Sequence, residues 1–162
     1  MILHYFNKKE NIEKKIAEET YKAILKLSNK ILNDNNFFIK KDYNSSFEIV
    51  SILLIIHIQK NITENYKNFK LINEILISTF ISDLDESLRV KGIGDMSIGK
   101  YVKSYVKKFY FRLRKFKDNH INYNKDFFEE YFNNFDLIKK DSYQKAAFVF
   151  DHIYKDILSS NN

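Results

Sequence analysis

Apolar residues recur every three to four positions along most of this chain, the period of an amphipathic α-helix. In the first segment Ile12, Ile16, Ala23, Ile24, Leu27 and Ile31 follow that spacing, with Glu and Lys between them, and the Asn-rich run 33–36 ends it. Phe37-Phe38-Ile39 then reads as an aromatic connector that packs back on the core. Ser45-Ser46-Phe47-Glu48 has the form of a capping box, in which a Ser oxygen meets the amide three residues on and Glu48 reaches back. It opens a helix over 46–60 that is apolar on nearly every face and therefore central. A third helix over 65–90 carries Phe69, Ile72, Leu76, Phe80, Leu84 and Leu88. The fourth, over 97–117, has one apolar stripe (Ile98, Val102, Tyr105, Val106, Phe109, Leu113, Phe116) and an opposite face of Lys100, Lys103, Lys107, Arg114 and Lys117. A polar loop over 118–124 leads to helices over 125–138 and 142–158, the last opened by Asp141 or Ser142 as N-cap. No repeat and no linker breaks the pattern, so it predicts one all-α domain over 1–162 with about six helices.

Composition sharpens that picture. The chain has no Cys, no Pro and no Trp, and only three Gly among its 162 residues. Disulfides, thiolate nucleophiles and zinc–thiolate sites are thereby excluded, and a β fold rich in tight turns is disfavoured. Gly92, Gly94 and Gly99 all fall between the third and fourth helices. Asn, Lys and Ile are so abundant that Gly, Arg and Asp carry more information per residue. The net charge of +6 is uneven: 87–117 holds ten Lys or Arg and one acid, Asp95, while the rest is slightly acidic. A basic segment of this kind points to a local partner such as an anionic leaflet, a ribosome or RNA. The first residues lack a signal-peptide apolar region and an Arg-rich transit helix. The most apolar run, 47–58, is shorter than the ~20 residues of a bilayer span. The expectation is a cytoplasmic protein, peripheral at most at the inner membrane.

No catalytic constellation emerges. Gly94-Asp95-Met96-Ser97-Ile98-Gly99-Lys100-Tyr101 fits part of a phosphate-binding loop, but Tyr101 stands where Ser or Thr must hold magnesium. Asp83, Asp85 and Glu86 do not form an acid pair, because Asp83 and Asp85 point about 200° apart on a helix. Asp85 and Arg89 are spaced instead for an i,i+4 ion pair. His4, His57, His120 and His152 show no metal-ligand spacing, and His57 reads as a core residue with one hydrogen bond. Of the aromatics on the basic helix, Tyr101 and Tyr110 lie off the apolar stripe and are surface candidates, whereas Tyr105, Phe109 and Phe111 read as core. No cofactor, metal or DNA partner is implied.

The stretch from Phe80 to Arg112 carries Asp83-Leu84-Asp85, Leu88-Arg89, Gly92-Ile93-Gly94-Asp95, then Ile98-Gly99-Lys100-Tyr101-Val102-Lys103, and finally Phe109-Tyr110-Phe111-Arg112. In these elements and their spacing it resembles the ubiquinol–cytochrome c chaperone family. Weaker likeness reaches upstream to Tyr21, Phe37-Phe38 and the segment 42–47. In the family's pattern Gly stands at Phe111, Gly-Arg at Ser45-Ser46, and His at Leu53. The resemblance implies an all-helical, non-catalytic assembly factor for the cytochrome bc1 complex, and the lack of a transit helix leads to the expectation of a bacterial member. Such a factor binds newly made cytochrome b, and in mitochondria it works with a small assembly partner near the ribosomal exit. It also implies a working surface around Arg89, Gly92, Gly94, Asp95, Gly99, Lys100 and Lys103. Gly92 or Gly94 would end the third helix in the left-handed conformation, Asp95 or Ser97 would cap the fourth, and Gly99 would admit a close neighbour. The competing reading is a basic helical module that binds RNA or the ribosome.

Overall fold

The computed structural model describes residues 2–118 and 123–160, and side chains over 12–117 and 123–160. Its elements are α1 (Ile2–Asp34), α2 (Tyr43–Thr63), α3 (Phe69–Val90), α4 (Asp95–Asp118), α5 (Lys125–Asn133) and α6 (Tyr143–Ser159), with one 3-10 turn at Lys140–Ser142. The all-α class and the six helices agree with the periodicity; His120 and most of the 118–124 loop lie outside the described residues.

α2 is the axle. Ile52, Leu53, Leu54, Ile55 and Ile56 are fully buried, because α1, α3, α4 and α6 surround the helix. By length and composition α2 could cross a membrane, but its apolar faces are spent on the protein's own core. It begins earlier than the sequence predicts. Asp42 is the N-cap and accepts a hydrogen bond from the Ser45 amide (3.1 Å). The predicted capping box at Ser45–Glu48 does not form. The Ser45 hydroxyl donates to the Lys40 carbonyl (2.6 Å), and Glu48, a turn further in, is free for another use. At its far end the buried Lys60 ammonium donates to the Ser160 carbonyl (2.5 Å), tying α2 to the segment after α6.

α1 lies across α2 and α3. Its buried stripe is Glu13, Ala17, Tyr21, Ile24, Ser28 and Ile31, whereas Ile12 and Ala23 face solvent. The helix is rotated from the purely apolar reading because two polar anchors sit on the inner face. Tyr21 donates to Asp83 (2.7 Å) and Glu13 accepts from Asn68. Burial and the bond to Asp83 both push the Tyr21 hydroxyl's pKa up, so it stays protonated. Asn68, in the left-handed region at φ 60°, sets the start of α3 at Phe69, later than expected.

α5 and α6 form the last layer, stacked through Phe128, Phe132 and Phe150, with ring centroids 5.0 to 6.4 Å apart. Asn124 caps α5 by accepting from the Phe127 amide (3.0 Å). α5 stops at Asn133 rather than continuing to 138. Leu137 and Lys139 instead exchange backbone hydrogen bonds with the 37–39 connector (both 2.9 Å), around an antiparallel bridge of Phe38 and Ile138. Phe37 and Phe38 are buried as expected, while Ile39 is exposed. Ser142 occupies the N-cap position of α6 without a side-chain capping bond.

Candidate functional site

The turn between α3 and α4 is built by its glycines and one arginine. Gly92 sits at φ +88°, where a side chain is strained. It closes α3 with a paired motif: its amide bonds the Arg89 carbonyl (2.8 Å) and the Ile93 amide bonds the Leu88 carbonyl (3.2 Å). The Gly94 carbonyl then accepts from the Ser97 and Ile98 amides (2.9 and 3.1 Å), starting α4. Neither Asp95 nor Ser97 caps the helix with its side chain. Asp95 turns back to Arg89, whose other arm holds Asp85 (2.6 Å). Arg89 therefore staples the last turn of α3 to the first turn of α4, and these hydrogen bonds, to Asp85 first and Asp95 second, raise its pKa. Arg89 remains partly exposed, and its pairing with Asp85 has the i,i+4 spacing expected from the sequence. Asp83 points elsewhere, to Tyr21, so the two aspartates diverge as their spacing predicts. Below the staple Tyr43 and Ser87 share a hydrogen bond (2.9 Å), and the Lys91 ammonium lies 4.1 Å from the Tyr43 ring centre.

The turn leaves apolar side chains uncovered. Val90 is 83% and Met96 103% exposed. A methyl group added at Gly99 would meet nothing within 4 Å. Among the described residues nothing crowds that position.

α4 sorts its residues by face. Ile98, Phe109 and Phe116 are buried, Val102, Tyr105, Val106 and Leu113 half-buried. Leu88 and Phe109 are buried core residues. Phe80 packs on Phe109 at 5.0 Å between centroids. On the other side Lys100, Lys103, Lys107, Arg114 and Lys117 are exposed, together with Tyr101 and Tyr110. Phe111, expected in the core, is 45% exposed.

Arg112 belongs to neither surface. It is buried on the inner face of α4 and forms a bidentate pair with Glu48 of α2. Its Nε donates to both Glu48 oxygens (2.6 and 2.8 Å) and its Nη2 lies 2.5 Å from Oε2. Tyr131 of α5 donates to the same carboxylate, and Arg112 Nη1 donates to the Lys108 carbonyl (3.0 Å). The guanidinium also lies over the Phe47 and Phe135 rings at 5.5 and 4.8 Å. Burial opposes its charge, but the hydrogen bond and negative charge of Glu48 outweigh it and raise the Arg112 pKa. Burial first, and then the Glu48 charge, hold Tyr131 protonated. This three-helix lock was missed in the sequence, although a Glu inside the most apolar helix and an Arg in line with an apolar stripe were both visible.

His57 is half-buried, and burial followed by the nearby Lys60 charge lowers its pKa to about 4. The hydrogen bond expected of it does not occur among the described residues. A cavity of about 620 Å³ between the ends of α2, α4 and α6 is lined mainly by apolar groups such as Ile58, Phe116 and Tyr123. Its buried charge, Lys60, is already engaged by Ser160. Among the described residues no three His, Asp or Glu gather as a metal site. The features that stand out among the described residues are the α3–α4 turn and the basic face of α4. In comparisons with known proteins, the model of the family described as ubiquinol-cytochrome C chaperone matches residues 35–136. No curated protein and no solved structure matches the chain.

Proposed function

Since the chain belongs to the ubiquinol-cytochrome C chaperone family, we propose that it is a non-catalytic assembly chaperone of the respiratory cytochrome bc1 complex that binds and stabilises newly made cytochrome b. The observation that carries this reading is the extent of the match, 35–136. That span contains the stapled turn, all of α4 and the Glu48–Arg112–Tyr131 lock. The client-facing surface is the α3–α4 turn. Val90 and Met96 offer apolar contact, and Gly99 offers room for a backbone to come close. The Arg89 staple fixes the turn's shape before the client arrives, which spares binding the entropy of ordering it. Asp85, Gly92, Gly94 and Asp95 shape this surface, and Lys100 and Lys103 border it.

Deleting the gene should lower cytochrome b and bc1 activity while sparing the other respiratory complexes, and tagged protein should co-purify with cytochrome b. Val90→Asp with Met96→Asp should abolish that co-purification without unfolding the protein, since both side chains are exposed. Unchanged cytochrome b in the deletion strain would overturn the proposal.

A further inference from the structure

The outer face of α4 carries a second surface, which runs on from the client-facing turn, shares Met96 with it and is independent of which client is bound. Met96, Lys100, Lys103, Lys107, Arg114 and Lys117 recur at three- and four-residue steps or their multiples, so they share one face of the helix. All six are exposed, and no Asp or Glu interrupts the sequence from 96 to 117. Opposite them the apolar stripe is anchored in the core, so α4 cannot roll this face inward. Arg112, which pairs with the buried Glu48, lies on the inner side instead. At 1.5 Å per residue the face is about 30 Å long. It also bears uncovered apolar groups: Met96 at 103%, Tyr110 at 44% and Phe111 at 45% exposure.

We propose that this face docks on an anionic lipid bilayer, with α4 lying in the plane of the headgroups. Lysine ammoniums on flexible stems reach phosphates of any lateral arrangement while their methylenes cover apolar surface. Phe111 and Met96 have no hydrogen-bonding group to offer a nucleic acid, and they gain by entering the acyl boundary. An uninterrupted helical face of this length presents its cations in one row to a flat leaflet. Each basic residue near such a leaflet strengthens binding about fivefold, and the attraction fades within a Debye length.

The test uses the full chain with vesicles of phosphatidylcholine alone or mixed with phosphatidylglycerol. Because the protein has no Trp, Phe111→Trp supplies a single fluorescent reporter on the face itself. Phosphatidylglycerol vesicles should bind the protein and shift the reporter to the blue; phosphatidylcholine alone should do neither. The triple variant Lys103→Glu, Lys107→Glu, Arg114→Glu should weaken binding at least about a hundredfold. Lys22→Glu, Lys26→Glu, Lys30→Glu makes the same change of net charge on the exposed side of α1 and should weaken it far less. Equal losses from both triple variants would reduce the effect to bulk charge and overturn the proposal. So would an unshifted reporter, or binding to single-stranded RNA with none to the vesicles. Since purified protein and lipid suffice, failure here leaves the cytochrome b reading standing, and failure of that reading leaves this one.

Discussion

Removing one partner of the Glu48–Arg112 pair should be the most damaging single polar change in this protein. The two side chains are only 4% and 8% exposed, so neither charge can recover solvent when the other is lost. In Glu48→Gln the guanidinium keeps its burial but loses its counter-charge, and Tyr131 loses a charged acceptor. Breaking a pair of this kind costs about 3–5 kcal/mol, against a total stability of about 5–15 kcal/mol for a domain. For a chain of this length the midpoint of thermal unfolding should fall by about 10 °C. Arg112→Lys should recover only part of the loss, because an ammonium cannot replace the two-pronged contact. Replacing both partners, with Glu48→Leu and Arg112→Met, should cost far less than either single change, since no buried charge remains. Urea unfolding followed by helical circular dichroism at 222 nm measures each variant, and with the single Glu48→Leu included, the wild type, both single variants and the double variant close a double-mutant cycle. If Glu48→Gln and Arg112→Met each cost less than about 1 kcal/mol, the pair behaves as a surface ion pair and the reasoning fails.

Two glycine variants should move in opposite directions. Gly92→Ala forces a side chain into the left-handed region and should cost about 1–2 kcal/mol, whereas Gly99→Ala, helical and unobstructed, should stabilise by up to about 1 kcal/mol. If Gly99 serves a close-approaching client, Gly99→Ala should nonetheless weaken co-purification with cytochrome b; calorimetry and pull-down together separate the two effects. The His57 imidazole is depressed to about 4 from an ordinary 6.5, so its neutral form is the one that suits the fold. Stability from this group is full above about pH 6.5 and is lost as pH falls toward 4, by about 3 kcal/mol at most. His57→Gln should flatten that part of the stability–pH curve, and a curve unchanged in the variant would count against the assignment.

Much of the architecture was legible because burial imposes a period. The stripe Ile98–Phe116 and the apolar run of α2 predicted both their helices and their inward faces. Where the prediction slipped, a polar residue held the decisive position. Tyr21 and Glu13 turned α1 by pairing with Asp83 and Asn68, which no hydrophobic pattern records. Glu48 matched a local capping motif, yet Asp42 capped the helix first and left Glu48 to a residue 64 positions away. The end of α5 was misplaced because Leu137 and Ile138 satisfy apolar spacing equally well as an extended segment against Phe37 and Phe38.

At the candidate site the sequence by itself determined the ingredients. The spacing of Asp85 and Arg89, the clustered glycines and the one-sided lysines of α4 all follow from helical geometry between near neighbours. Only the tertiary structure decided which of the two signature arginines is structural and which shapes the surface. Arg112 met a carboxylate on another helix and was buried with it. Arg89 met acids on both sides of an exposed turn and stayed outside. Local spacing can fix the direction of a side chain along its own helix, but its partner and its solvent are chosen by the packing of the other helices around it.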